Sequence, residues 1–204
     1  FVAMSGGVDT SVTAELLKQQ GHDVVGIHMK MWAPTSEQGT VNSEQLDTVC
    51  EQQYQDRIDA MRVAARLNIP FQTWDLTKEY RRAVVEYMIR EYAAGRTPNP
   101  DVMCNRHIKF GVFFDRAIAA GADFVATGHY ARICRADQND EADQFDKVDR
   151  VYRAKRFNEQ GDSSNSSYQL LSAVDTTKDQ SYFLWTLDQK KLSKIQRKSL
   201  KKYI

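Results

Sequence analysis

Short apolar segments alternate along the chain with longer segments in which apolar residues recur every three or four positions. The short segments are typical of buried strands, and they lie at residues 1–4, 23–32, 71–76 and 122–127. The longer segments predict amphipathic helices at residues 10–20, 78–94 and 110–120. A further long helix is predicted from an apolar stripe that comprises Leu46, Val49, Tyr54, Ile58, Met61, Ala65 and Leu67.

Strands that alternate with amphipathic helices predict an α/β fold in which a parallel sheet is covered by helices on both faces. Right-handed crossovers bring the carboxyl ends of such strands to one edge, where ligands bind. We therefore expect three segments at this edge: residues 5–9, the residues after Trp32, and residues 127–129.

Two polar segments interrupt the alternation. Residues 33–43 predict a surface loop, and residues 135–167 predict a partly disordered insertion with a short strand-like core at Val151 and Tyr152. We interpret residues 1–187 as one catalytic domain. We interpret residues 188–204 as the basic, helical start of a region that follows it. Seven Lys or Arg residues fall between Lys190 and Lys202, and a solvated helix face explains them as well as an RNA contact does.

Composition narrows the class of protein. The chain is 42% hydrophobic and 27% charged, as is ordinary for one globular domain, and its formal charge of +1 gives no global attraction to nucleic acid. Apolar runs are shorter than the roughly 20 residues of a membrane span. Because the chain begins inside a predicted strand without Met, we expect a trimmed amino terminus. The three cysteines, Cys50, Cys104 and Cys134, suit a reducing compartment better than a disulfide scaffold or zinc site.

A glycine pair joins the first predicted strand to the first predicted helix, in residues 5–10 (SGGVDT). Gly6 and Gly7 would let backbone N–H groups approach phosphate oxygens beside the positive end of the helix, and Ser5 and Thr10 would add hydroxyl donors. A tight exit from any parallel strand is the alternative. The lysine of a Walker loop is missing, and the segment resembles the S-G-G-x-D-[ST] signature of ATP pyrophosphatases, which split ATP between its α and β phosphates.

A second candidate site lies in residues 96–105, which we interpret as a loop stiffened by Pro98 and Pro100. It carries Asp101 and Cys104 three residues apart. Cys104 is either an inert half-buried thiol or a nucleophile whose pKa is lowered by Arg106, His107 and Lys109. Asp101 is either a general acid/base or an Asx residue that caps the loop.

Four blocks together resemble the tRNA 2-thiouridylase family. They are residues 5–10 (SGGVDT), residues 95–101 (GRTPNPD) with Cys104, Asn105 and residues 108–110 (IKF), residues 126–131 (ATGHYA), and residues 178–184 (KDQSYFL). The resemblance implies a doubly wound sheet of the adenine nucleotide alpha hydrolase-like type, with a pyrophosphatase loop. It also implies an enzyme that uses ATP to replace the 2-oxygen of the wobble uridine of tRNA by sulfur.

The resemblance further assigns candidate site residues. ATP is expected at Ala3, Met4, Ser5, Gly6, Gly7, Val8, Asp9, Thr10, Met29 and Gly128, and the target tRNA at Asn99, Pro100, Asp101, Lys178, Asp179 and Gln180. Cys104 and Asp101 are the expected catalytic residues. Mg²⁺ is expected with ATP, and Asp9 is the candidate to orient it, although pairing with the helix N-terminus explains that carboxylate too.

The expected partners are tRNAs with Glu, Gln or Lys type anticodons and a protein that donates persulfide sulfur. No association with a membrane is expected. The family's persulfide cysteine, which is also found disulfide-linked to the residue matching Cys104, would lie beyond Ile204. The long insertion resembles mitochondrial members and implies the mitochondrial matrix, with the bacterial cytoplasm as the alternative. Rival hypotheses are a synthetase that adenylates a small molecule and a tRNA-binding module without catalysis.

Overall fold

The computed structural model describes residues 1–31, 43–135 and 168–195. At residues 43–50 and 135 it describes the backbone only. The chain divides into two compact units, Phe1–Gly128 and His129–Ile204. The predicted loop at 33–43 and insertion at 135–167 lie almost entirely outside the described residues, as does the end of the basic segment after Ile195. The predicted division at residue 187 stays a prediction.

The first unit is built on a parallel sheet. Its strands are β1 (Val2–Ala3), β2 (Gly26–Lys30) and β3 (Phe71–Asp75), in the order β1-β2-β3. Ala126 forms a parallel bridge to Val2 on the other side of β1. The four predicted strands are therefore all present, although the fourth is reduced to a bridge, and the predicted parallel sheet is confirmed.

Helices cover both faces of this sheet. On one face, α1 (Val8–Gln19) and α2 (Ser43–Arg66) enclose a core of small and aliphatic side chains. On the other face, α3 (Thr77–Tyr80) runs through a π-helical turn at Arg81–Val85 into α4 (Glu86–Ala93). The core on this second face is more aromatic and includes Trp74, Phe113 and Phe114. The doubly wound architecture is confirmed, since each face has its own buried core.

The segment interpreted as a loop at 96–105 is partly helical, and that prediction was wrong. Helix α5 (Pro100–Met103) continues through a π-helical segment, Cys104–Val112, into α6 (Phe113–Ala119). Pro100 stands at the first turn, where a missing N–H costs nothing and the fixed φ suits a helix. Asn99 caps the helix by accepting a hydrogen bond from the Val102 N–H at 3.1 Å. The predicted helix at 110–120 thus begins ten residues earlier, with a kink at Gly111 (φ −111°, ψ −106°).

The second unit carries two strands that the sequence pattern did not reveal. β4 (Arg132–Arg135) and β5 (Tyr168–Leu171) pair in antiparallel register on either side of the undescribed residues. A 3₁₀ turn at Ser181–Phe183 follows, and α7 (Gln189–Lys194) begins at Asp188, which caps it by accepting from the Lys191 N–H at 2.8 Å. The described part of the basic segment is thus helical, as predicted.

Candidate active site

The loop between β1 and α1 lies where the order of strands reverses. β1 has β2 on one side and the Ala126 bridge on the other, so the connections after these neighbours leave in opposite directions. A crevice outside the carboxyl ends of the strands is expected at such a point, and it is where α/β sheets bind ligands. The topology therefore places residues 5–9 and Gly128 at the position that binds ligands in this class of fold.

The two glycines of the loop have different physical roles. Gly6 is in the left-handed region (φ +87°), and a Cβ on it would lie 2.4 Å from the Asp56 carbonyl oxygen of α2. Gly7 is extended (φ −72°, ψ 162°), and a Cβ there would meet only the Ser5 Oγ, at 3.4 Å. Gly6 is therefore required by the close approach of α2, whereas Gly7 leaves the outer side of the loop open.

Hydroxyl groups hold the loop in shape. The Thr10 Oγ1 and the Ser11 Oγ donate to the Gly7 carbonyl at 3.1 and 2.8 Å, and the Thr10 Oγ1 accepts from the Ser5 N–H at 3.3 Å. The Gly7 N–H donates to the Ser5 Oγ at 3.4 Å. Ser5 and Thr10, predicted as donors to a phosphate, thus also fix the backbone around the place where an anion would bind.

The amino terminus of α1 supplies the electrostatics of an anion site. The first N–H groups of a helix have no carbonyl partner within it, and the N-cap residue Gly7 makes no side-chain capping bond. The helix has 12 residues, so its dipole adds a partial positive charge at the same point. Val8 is 76% exposed, which shows that this first turn faces open space. The arrangement suits phosphate oxygens.

Gly128 is brought directly against this helix end. A Cβ on Gly128 would lie 3.0 Å from the Thr10 nitrogen and 3.1 Å from the Asp9 carbonyl carbon. The chain that leaves the Ala126 bridge therefore packs on the first turn of α1. Two predicted nucleotide-binding segments that are far apart in sequence meet here.

Beneath the loop lies a histidine that sequence reasoning missed. His28 is 8% exposed on β2, beside the predicted nucleotide contact Met29, and its Nδ1 is 3.2 Å from the carbonyl oxygen of Met4. Burial lowers the pKa of His28, which outweighs the opposing effects of the Met4 hydrogen bond and the Asp56 charge. In the sequence, the only sign of a special role for His28 is that it is the one polar residue of the apolar segment 24–29.

Asp101 and Cys104 are neighbours one turn apart at the start of α5 and the π-helical segment. Cys104 is 8% exposed, and burial raises the pKa of its thiol, with the Asp101 charge in the same direction and Lys109 opposed. The expectation that basic neighbours lower this pKa was wrong, because the desolvation of a buried thiolate exceeds the effect of Lys109. Asp101 is exposed, and Asn99 caps the helix in its place.

Tyr80 belongs to the same cluster and was also missed. It packs against the core that contains Cys104, at the end of α3. Burial raises the pKa of its phenol, and the charges of Cys104 and Asp101 add to the shift. No motif marked Tyr80 in the sequence, because only the packing of α3 on the π-helical segment brings it near the thiol.

The predicted tRNA contacts of the second unit lie in a loop that is held by hydrogen bonds. The Asp179 carboxylate accepts from the Ala173 N–H at 2.8 Å, the Ser181 N–H at 3.2 Å and the Ser181 hydroxyl at 2.8 Å. The Gln180 Oε1 accepts from the Tyr130 N–H at 3.0 Å. Lys178 is exposed, with its Nζ 5.4 Å from the Tyr130 ring centroid. The Asp179 and Gln180 side chains therefore organise this unit.

Two further findings concern metals and membranes. Within residues 1–31, 43–135 and 168–195, no group of three or more His, Cys, Asp or Glu side chains is placed to hold a metal ion. Asp9 lies in the first turn of α1, beside the N–H groups that suit phosphate, and its role with Mg²⁺ stays a prediction. None of the described helices is long and apolar enough to cross a membrane.

Fold and site together define an α/β domain with a glycine loop at the switch point of a parallel sheet. The family described as tRNA methyl transferase HUP domain matches residues 1–197, so the chain belongs to this family. Its similarity to the tRNA 2-thiouridylases, expected from the four blocks, is confirmed. The tRNA-specific 2-thiouridylase MnmA of Christiangramia forsetii is 47% identical over 95% of the chain, and that of Alkaliphilus oremlandii is 45% identical over 95%.

The chain spans 41% and 43% of the length of these two relatives. Among solved structures, an NMN synthetase from Francisella tularensis aligns with 61% of this chain and 42% of its own, with 16% identity and a TM-score of 0.38. That structural likeness is too low to add to the sequence match.

Proposed function

We propose that this chain is the ATP-binding and thiol-bearing part of an enzyme that thiolates the wobble uridine of tRNA at its 2-position. The observation that carries the proposal is the open first turn of α1, reached from Gly7 on one side and Gly128 on the other. Relatives named as tRNA-specific 2-thiouridylases support the substrate.

The residues fit a nucleotide. The N–H groups at the start of α1 and the open side of Gly7 would receive the phosphates, and Met29 would border the base at the end of β2. ATP, when bound, supplies the AMP that converts the uridine 2-oxygen into a leaving group, with pyrophosphate released. Asp9 would orient Mg²⁺ at the same helix end, where the cation offsets phosphate charge that N–H donors leave uncompensated.

Cys104 would act on the sulfur. The terminal sulfur of a persulfide on a second cysteine bonds to the uridine C2, and AMP departs with the former 2-oxygen. The Cys104 thiolate then attacks the inner sulfur of that persulfide, which forms a disulfide between the two cysteines and leaves the outer sulfur and its electron pair on the base. A thiol reductant must restore both cysteines for the next turnover.

Burial sets a condition on this step. Because burial raises the pKa of the Cys104 thiol, its attack on the persulfide requires a base that takes the thiol proton. Asp101, exposed one turn away, would position the uridine or accept a proton, for which the Cys104 thiol is one source. Asn99 and Pro100, which set the start of α5, would hold Asp101 against the base.

The proposal is tested by pyrophosphate release from ATP with and without tRNA. We expect release that depends on tRNA with uridine at the wobble position. Release without any tRNA would favour the small-molecule synthetase, and the absence of ATP binding would favour a tRNA-binding module without catalysis. The choice of Glu, Gln and Lys type tRNAs, a persulfide donor protein and the mitochondrial matrix remain parts of this proposal.

A further inference from the structure

Two large aromatic side chains of the second unit stand in solvent. Tyr182 is 51% exposed and Trp185 is 60% exposed. They lie on successive tight turns in which the N–H groups of Phe183, Leu184 and Leu187 donate to carbonyls three residues back, at 3.1, 2.9 and 3.1 Å. Side chains three residues apart in such turns project to the same side. We define Tyr182 and Trp185 as the aromatic ridge.

The opposite side of the same turns is buried. Ser181, Leu184 and Leu187 are 0%, 4% and 5% exposed. Because these three residues share the three-residue period, turning the aromatic ridge inward would bring Leu184 and Leu187 into water. The packing of the second unit therefore fixes the outward direction of Tyr182 and Trp185.

The ridge is held in place before any partner arrives. The Asp179 carboxylate accepts hydrogen bonds from both the N–H and the hydroxyl of Ser181, the residue immediately before Tyr182. The Tyr182 ring lies against the Phe183 ring, with centroids 4.1 Å apart and an angle of 39°. A preorganised aromatic surface loses little conformational entropy on binding.

Lysines precede and follow the ridge in sequence. Lys178, Lys190 and Lys194 are exposed, and Lys191 is partly exposed. The carboxylates of the same stretch also bear charge: Asp175 accepts from the Thr177 N–H and hydroxyl at 2.9 and 2.6 Å, and Asp188 caps α7. Aromatic faces between lysines match the combination that binds single-stranded nucleic acid, where bases stack and cations meet phosphates.

We propose that the aromatic ridge is a stacking platform for unpaired bases of the RNA substrate, with Trp185 as its main face. This inference rests on the proposed function, since it requires that the protein binds tRNA. A protein segment that covers the ridge is the competing occupant. The segment that follows the ridge favours the nucleic acid, because residues 190–202 contain seven Lys or Arg residues and no Asp or Glu.

The test compares tRNA affinity in four variants of the protein. We expect Trp185→Ala to weaken tRNA binding about tenfold, since stacking on one aromatic face is worth on the order of tenfold or more. Trp185→Phe keeps an aromatic face and should stay within about threefold of the wild type. Trp185→Leu keeps apolar area without a stacking face and should behave like Trp185→Ala. Tyr92→Ala, at a 61% exposed aromatic of the first unit, should bind as the wild type does.

Each result of this comparison either supports or overturns the ridge proposal. If the wild type binds tRNA and Trp185→Ala binds it equally well, the ridge proposal alone is overturned. The same conclusion follows if Trp185→Leu keeps full affinity, because apolar covering would then suffice. If the wild type binds no tRNA, the proposed function fails and the ridge proposal falls with it.

A second measurement uses the quenching of tryptophan fluorescence by acrylamide, with Trp185→Phe subtracted from the wild type to isolate Trp185. We expect Trp185 to be quenched in the protein alone and protected when tRNA is added. Protection before tRNA is added would mean that another part of the protein covers the ridge, which contradicts the proposal.

Discussion

Substituting alanine should destabilise the fold strongly at Gly6 and hardly at all at Gly7, although the two residues are adjacent. At Gly6 the new Cβ would lie 2.4 Å from the Asp56 carbonyl oxygen, and φ is +87°. A left-handed conformation costs an L-residue about 1–2 kcal/mol, and a steric overlap that backbone must relieve adds about 1–3 kcal/mol. We therefore expect Gly6→Ala to lower the free energy of unfolding by about 2–5 kcal/mol.

At Gly7 neither the cost of a left-handed backbone nor the cost of a steric overlap applies. Its extended backbone suits any residue, and the new methyl group would meet only the Ser5 Oγ at 3.4 Å. Alanine restricts the unfolded chain but is a poorer N-cap than glycine, so Gly7→Ala should change the free energy of unfolding by less than about 1 kcal/mol. Urea denaturation followed by circular dichroism measures both variants against the wild type. Equal destabilisation by the two substitutions, or a fully stable Gly6→Ala, would refute the assignment of separate roles.

Three further predictions concern the thiol and the buried histidine. In the longer protein that includes the second cysteine expected beyond Ile204, Cys104→Ser should leave ATP and tRNA binding intact and abolish sulfur incorporation, whereas Cys134→Ser should keep it. Thiolation by Cys104→Ser would remove this residue from the mechanism. Because burial raises the pKa of Cys104, its alkylation by iodoacetamide should accelerate only above the pH range of an ordinary thiol, and Lys109→Ala should move that midpoint higher still. The folded state lowers the pKa of His28, so the unfolded chain binds the proton more readily, and stability should fall as pH drops below about 6.5. His28→Gln should lose this contribution, and an unchanged pH profile in that variant would show that another group causes it.

The fold was predictable to the extent that local patterns encode it. Apolar segments and helical periodicity located the strands and most helices of the first unit, because these elements bury apolar side chains against the two cores. The loop assigned to 96–105 failed since Pro98 and Pro100 were taken to exclude a helix, whereas a proline in the first turn favours one. β4 and β5 were missed because their pairing joins residues on either side of a long polar segment, which no local pattern reports.

The candidate site was predictable where a motif carries it and not where packing does. The glycine loop and Gly128 were found from their motifs, yet the sequence could not show that Gly6 accommodates α2 and Gly7 does not. The charge state of Cys104 depends on burial by α3 and the π-helical segment, and basic residues close in sequence suggested the opposite direction. His28 and Tyr80 are placed by tertiary contacts alone.

The central claim, that the amino terminus of α1 binds the phosphates of ATP, is tested most directly by the ATP affinity of Gly7→Val with Gly7→Ala as the matched control. Valine at Gly7 would fill the open side of the loop, and we expect a loss of about 3 kcal/mol, roughly a hundredfold in Kd, comparable to the loss of one preorganised donor. Gly7→Ala should lose much less, and both variants should keep the fold by circular dichroism. Isothermal titration calorimetry that finds the wild-type Kd for ATP in a folded Gly7→Val protein would contradict the account.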